Sequence, residues 1–265
     1  AALQRALDGV VERHEILRTR FVAVDGEPHQ VIDAGATIVM AIEDIAGATA
    51  DLREANARRA AEAEAARLFD LERGPLMRAR LLRLAPDEHW LVVTMHHIIC
   101  DGWTSAILRR ELSALYVACV QQRPSPLAEL PVQYADYAVW QREWMQGDAL
   151  ARETAYWRGQ LADVPVLELP LDRPRPAVLE HRSGRTSFAI DADLVRSLKE
   201  LARREGATLF MTLFSAYLVL LGRYSGQDDI AVGVPIAGRN RPELEGLIEF
   251  FVNTLVLRGD LAGDP

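Results

Sequence analysis

The chain has 265 residues, 49% hydrophobic and 26% charged, a globular composition that excludes disorder and is long enough for one large domain or two of roughly 130 residues. Its 38 acidic residues against 30 Lys and Arg give a net charge of -8, which argues against nucleic acid held through phosphates. No apolar run approaches the ~20 residues of a membrane span, residues 1–13 lack a signal-like pattern, and Cys100 and Cys119 form neither a disulfide framework nor a zinc spacing, so the sequence reads as cytoplasmic with reduced thiols and no membrane partner.

In chain order, Leu3, Leu7, Val10 and Val11 predict a helix over residues 1–16. An alternating stretch from Thr19 to Ile32, broken by Asp25-Gly26, predicts a hairpin. Asp51 to Leu68 is Ala-, Arg- and Glu-rich and predicts a helix with one narrow buried stripe. A second hairpin pairs Met77–Leu84 with Glu88–His96 around Ala85-Pro86-Asp87. Its later strand, Trp90 to Met95, is almost wholly apolar, which suits a central strand covered on both faces. A polar loop, Asp101 to Ser105, then leads into a helix with Leu108, Leu112, Leu115, Tyr116 and Cys119 on one side, and further helices are expected over Gln133–Trp144 and Arg152–Leu161. Pro165, Pro170, Pro174 and Pro176 forbid regular helix and mark a connector. The expected division is therefore an N-terminal lobe over 1–164, a connector over 165–184 and the start of a C-terminal lobe over 185–265. In that last part strands are expected at Arg185–Ile190, Asp229–Val234 and Phe250–Arg258, with helices at Asp193–Arg204 and Leu209–Leu221.

The chemistry concentrates where His96 and His97 stand between a buried strand and a helix, followed by Asp101 and Gly102. An isolated His pair at a strand end is more often structural, but a carboxylate and a turn-forming Gly ahead of a helix project an imidazole at a loop edge. Adjacent strand residues point to opposite faces, so the two histidines are expected to play different parts. The same opposition argues against a metal site, since it leaves one His and Asp101 with no HxxxH or HExxH pair elsewhere. No GxSxG supplies a nucleophilic Ser. What remains is a His that transfers a proton or holds an amine, alcohol or thiol, work suited to a side chain with an unperturbed pKa of about 6.5.

The run His96-His97-Ile98-Ile99-Cys100-Asp101-Gly102-Trp103 resembles the HHxxxDGW signature of condensation domains of nonribosomal peptide synthetases. Arg13 to Phe21 is similar to that family's RHExLRTxF motif, Tyr134 to Gln141 to its YxDYAxWQ motif, and Phe251-Val252-Asn253-Thr254, with Gly238-Arg239 upstream, to its FVNT region. The resemblance implies a mixed α/β fold like chloramphenicol acetyltransferase, two lobes in a V around a tunnel, with the second lobe incomplete. It implies amide formation between a donor thioester and the amine of an acceptor, each delivered on the 4′-phosphopantetheine of a peptidyl carrier domain, with an adenylation domain as neighbour and no cofactor bound directly.

By the same resemblance His97 is the catalytic residue, and His96, Asp101, Gly102 and Arg18 support its loop. Arg18 is the expected ion-pair partner of Asp101, the Gly102 N–H is expected to face the reacting group, and Trp103, Asn253 and Thr254 are expected along the substrate tunnel. Thr104 keeps the hydroxyl of the usual Ser, and Cys100 is expected to be a buried, inert thiol. Glu249 stands where the family commonly has Gly, a bulky acid expected near the tunnel. Family motifs before Arg13 and after the last residues are missing, so the chain is expected to be an inactive fragment.

Within the superfamily, epimerization domains continue HHxxxDG with a Ser-Trp-Arg pattern, unlike Gly102-Trp103-Thr104, and heterocyclization domains replace both histidines by acids. The motif wording resembles domains that take an L-configured donor. The alternatives are a noncatalytic platform for a carrier protein or tailoring enzyme and a free-standing HxxxD acyltransferase.

Overall fold

The computed structural model describes residues 1–178, 184 and 186–263. The chain divides into two compact units, Ala1–Gln146 with Ile236–Asn253, and Gly147–Pro235 with Thr254–Pro265.

The first unit opens with α1 (Ala2–Arg13), which buries Ala6, Leu7, Val10 and Val11 along one stripe. A 3-10 turn, Glu15–Arg18, leads into the antiparallel hairpin of β1 (Thr19–Val24) and β2 (Glu27–Ile32). Asp25 and Gly26 both have positive φ, 53° and 83°, as a tight Asp-Gly hairpin turn requires. Next come β3 (Ala41–Asp44), α2 (Ala50–Ala65), β4 (Met77–Arg83) and β5 (His89–Met95). The sheet order is β3-β4-β5, parallel between β3 and β4 and antiparallel between β4 and β5. A 3-10 turn at His97–Ile99 and the loop after it carry the chain into α3 (Thr104–Val120), and α4 (Tyr134–Trp144) follows. The core joins the α1 stripe to Ile107, Leu108, Leu112 and Leu115 of α3, with Leu76, Met77 and Ile99 beneath the histidine turn.

Three expectations change here. The first helix ends at Arg13, because His14 turns extended and enters the core. β3, too short to show a periodicity, is an unforeseen parallel partner of β4. β5 is the edge of its sheet and not its centre. It reads as apolar because Leu91, Val93 and Met95 pack on the main core while Trp90 and Val92 pack on a second cluster with α2 residues Ala57 and Ala60. The narrow stripe of α2 holds, with Ala57 and Glu64 buried.

The second unit contains α5 (Gly147–Gln160), α6 (Ala192–Arg204), α7 (Leu209–Ser225) and the pair β6 (Asp229–Ile236) and β7 (Asn253–Asp260), except for the strand-end residues Ile236 and Asn253, which fall in the first unit. Asp191 and Thr208 cap α6 and α7 by accepting from the N–H groups of Leu194 and Met211. Its core is small: Leu218, Leu221 and Ile230, with Phe214, Val232, Leu167 and Leu261 against them. Phe210, Met211, Tyr217, Leu220 and Tyr224 of α7 remain exposed. No single helix among the described residues is long and apolar enough to cross a membrane.

Residues 165–178 have no regular structure, in line with their prolines, and 179–183 of the expected connector lie outside the described residues. The expected strand from Arg185 to Ile190 is not formed over 186–190, and residue 185 lies outside the described residues, as do 264 and 265. The compact units part at Gln146, ahead of the prolines, and 236–253 returns to the first unit because Arg239 and residues 244–251 are bonded into the loop after β5. For the same reason β7 starts at Asn253 and not at Phe250.

Candidate active site

The two histidines leave the strand in different backbone states. His96 is the extended residue that caps the 3-10 turn, and its Nδ1 accepts from the Ile98 N–H at 3.0 Å. His97 is the first residue of that turn and is exposed, and its Nδ1 lies 2.5 Å from the carbonyl oxygen of Cys100. A carbonyl only accepts, so Nδ1 of His97 carries the hydrogen and Nε2 is the basic nitrogen; in His96 the assignment is reversed. A cap and a carbonyl, and not strand alternation, therefore separate the two. The His96 ring meets Phe69 edge-on at 5.9 Å, and the His97 ring meets Phe250 edge-on at 5.1 Å.

Asp101, 6% exposed, holds the base of the loop. Its Oδ1 accepts from the N–H groups of Trp103 and Thr104 at 3.0 and 3.1 Å, where the loop enters α3. Its Oδ2 accepts from the Phe251 N–H at 3.3 Å, and both oxygens face Arg239 Nη2 at 3.2 and 3.1 Å. The ion-pair partner is thus Arg239. Arg18 stays on the turn Glu15–Arg18 and pairs with Glu15 at 3.4 Å, while His14, from the same motif, is the residue that goes inward. Arg239 also donates from Nη1 to the carbonyls of Leu244 and Leu247, and its guanidinium lies 4.5 Å over the Phe251 ring. Gly238 allows the approach: at φ +68° it is left-handed, and a Cβ there would collide with the Phe251 carbonyl oxygen.

A second buried tie comes from His14. Its Nδ1 accepts from the Ile248 N–H at 3.3 Å, so Nε2 donates to Glu111 Oε2 on α3 at 2.7 Å. Burial works against the Glu111 charge, but the hydrogen bond and field of His14 and the Arg13 guanidinium hold its carboxyl below the usual range. Glu249 follows Ile248, and it is fully buried instead of bordering a cavity. Burial first, and the charge of Asp101 with it, pushes Glu249 up to about 9, so it is a neutral acid at pH 7. Burial and the nearby Asp101 and Glu249 push the Cys100 thiol up to about 11, which makes it unreactive at neutral pH.

Phe250 links the histidine loop to a cavity of about 800 Å³ lined by Tyr134, Tyr137, Trp140, Trp144, Phe250 and Asn253 among others. Asn253 is thus on a cavity wall within the first unit, Trp103 is half exposed after the loop, and Thr254 is an exposed residue of β7 in the second unit. Gly102 is exposed with open space where a side chain would sit. Its N–H stands apart from those of Trp103 and Thr104, which Asp101 already satisfies. No group of three or more His, Cys, Asp or Glu among the described residues is placed to hold a metal ion.

The residues around the candidate site that sequence reasoning missed are Arg239, His14, Glu111 and Phe250. Arg239 had a signal, since it lies in a stretch already matched to the family pattern; the His14–Glu111 pair, 97 residues apart, had none.

The family model described as Condensation domain matches residues 1–265. A linear gramicidin synthase protein of Brevibacillus parabrevis is 51% identical over all of this chain, which spans 5% of that protein. Chondramide synthase cmdD of Chondromyces crocatus is 49% identical, again over all of this chain and 7% of its own length. Among solved structures, the X-domain in the complex of X-domain and OxyB from teicoplanin biosynthesis superposes with a TM-score of 0.91 at 31% identity, covering all of this chain and 58% of that one.

Proposed function

The chain belongs to the condensation-domain family, and from that premise we propose that it forms peptide bonds in a nonribosomal peptide synthetase, joining a donor aminoacyl or peptidyl thioester to the amine of an acceptor aminoacyl thioester. Both substrates arrive on the 4′-phosphopantetheine arms of carrier domains, with an adenylation domain as neighbour. The amine nitrogen attacks the thioester carbon, the C–S bond breaks, and the donor thiol leaves with a proton.

His97 is the residue we assign to that proton. With Nδ1–H fixed on the Cys100 carbonyl, its Nε2 is the nitrogen that takes the amine proton or holds the amine by accepting its hydrogen bond. His96, Asp101 and Arg239 position the loop, the Gly102 N–H faces the reacting group, and Trp103 and Asn253 border the substrate path. The observation that carries the reading is an exposed imidazole with a fixed tautomer on a loop whose base is bonded on every side. Recruitment without catalysis is the lesser reading, because identity to the linear gramicidin synthase protein, 51%, exceeds that to the X-domain, 31%. The test is single-turnover condensation between two loaded carriers. His97→Ala is expected to lower the rate by about 10²–10⁴-fold, the usual worth of a general acid–base group, and undiminished amide formation by folded His97→Ala refutes the assignment.

A further inference from the structure

The proposed reaction makes no use of Glu249, a fully buried acid in the backbone segment beneath His97. Its Oε1 accepts from the Phe250 N–H at 3.0 Å, and its Oε2 has no partner. Its own carbonyl oxygen lies 3.3 Å from Arg239 Nη2 and 3.4 Å from the Thr104 hydroxyl. The next residue, Phe250, is the one whose ring stands edge-on to His97. Resting on the condensation reading above, we propose that Glu249 is a positioning residue whose protonated carboxyl keeps Phe250 against His97, and whose ionisation releases that contact.

The charge balance around it carries the second half of that statement. Facing Glu249 are Asp101 and Cys100 from the loop after β5, Arg239 from the returning segment, and Tyr134 from α4. Arg239 supplies the cation, with Nη2 on both oxygens of Asp101 and Nη1 on the carbonyls of Leu244 and Leu247, while its buried Nε and Glu249 Oε2 each lack a hydrogen-bond partner, so no bond from the guanidinium reaches the Glu249 carboxyl. A second carboxylate therefore leaves a buried negative charge uncompensated, which proteins avoid by protonation or by moving the group to water. Glu249 titrates at about 9, whereas burial holds Cys100 up at about 11 and Tyr134 at about 12, so the acid changes charge before its neighbours do. Once ionised, the buried Glu249 carboxylate is driven towards water, and Phe250, whose N–H it accepts from, is bonded to it directly.

Two variants separate the parts of the proposal in the protein as encoded. Glu249→Gln keeps an acceptor oxygen for the Phe250 N–H and does not ionise; Glu249→Ala has neither property. Single-turnover rates are taken between pH 7.5 and 10 as ratios to Glu249→Gln, which cancels thioester hydrolysis and amine ionisation, with circular dichroism to confirm folding. Wild type is expected to match Glu249→Gln at pH 7.5 and to fall about tenfold below it at pH 10, one unit above the titration point. Glu249→Ala is expected to be slower than Glu249→Gln at every pH, in constant ratio. A constant ratio of wild type to Glu249→Gln overturns the ionisation, and equality of Glu249→Ala with Glu249→Gln overturns the positioning. A readout without turnover is the NMR shift of the His97 ring protons, which senses the Phe250 ring. A step near pH 9 in wild type, absent in Glu249→Gln, supports the proposal even if no amide forms and the condensation reading fails; no step overturns it whatever the activity.

Discussion

His97 and Asp101 belong to the same short motif, yet their surroundings differ in kind. The imidazole is exposed and has one hydrogen bond, to a carbonyl within its own turn. The carboxylate is buried and accepts from Trp103, Thr104, Phe251 and Arg239, joining α3 to a segment more than a hundred residues away. Under the proposed function one residue presents chemistry and the other holds the platform. Loss of activity at these two positions therefore has different meanings, and stability is the quantity that tells them apart.

The largest expected effect is at the platform. Asp101→Ala strands the buried Arg239 guanidinium and should cost about 3–5 kcal/mol, the usual penalty for breaking a buried pair. Adding Arg239→Met should cost much less than the sum, since partners in one ion pair are non-additive. A double-mutant cycle in urea without coupling between 101 and 239 would break the comparison at its base.

Glu249→Gln sharpens it through pH. In the unfolded chain the acid ionises near 4.5, and in the folded chain it keeps its proton to about 9, so between these values the folded state binds more protons. Its contribution to stability is fully present below about 4.5 and is lost as pH rises through about 9. Glu249→Gln lacks that slope, so its melting temperature should gain on wild type from pH 5 to pH 9; parallel curves would show that Glu249 ionises freely.

The smallest effects belong to the groups with only local contacts. His97→Ala, which removes one local bond, and Arg18→Gln, which removes a partly exposed pair with Glu15, should each change stability by no more than about 0.5–1 kcal/mol. Arg18→Gln should also show no coupling to Asp101. A large loss at either position would mean that the loop tip is restrained by more than the contacts described.

The sequence by itself determined what depends on neighbours along the chain. The Asp25-Gly26 turn, the hairpin of β4 and β5, the step from strand through a Gly-containing loop to α3, and α4, α6 and α7 all follow from periodicity, turn chemistry and capping residues. The histidine motif was legible for the same reason, since its residues are contiguous. Only the tertiary structure decided which residue answers which across the chain. Arg18 and Arg239 are equally plausible partners for Asp101 on charge; Arg239 takes the place because Gly238 lets its backbone pass against Phe251, while Arg18 pairs with Glu15 within its own turn. β5 is apolar on both faces whether it is a central strand or an edge packed on two clusters, and composition does not separate the two. Glu249 reads from the sequence as a bulky acid near the tunnel, and the fold instead encloses it beside a cation that Asp101 already occupies. Burial and charge balance are properties of three-dimensional neighbours, and they made that acid a neutral one.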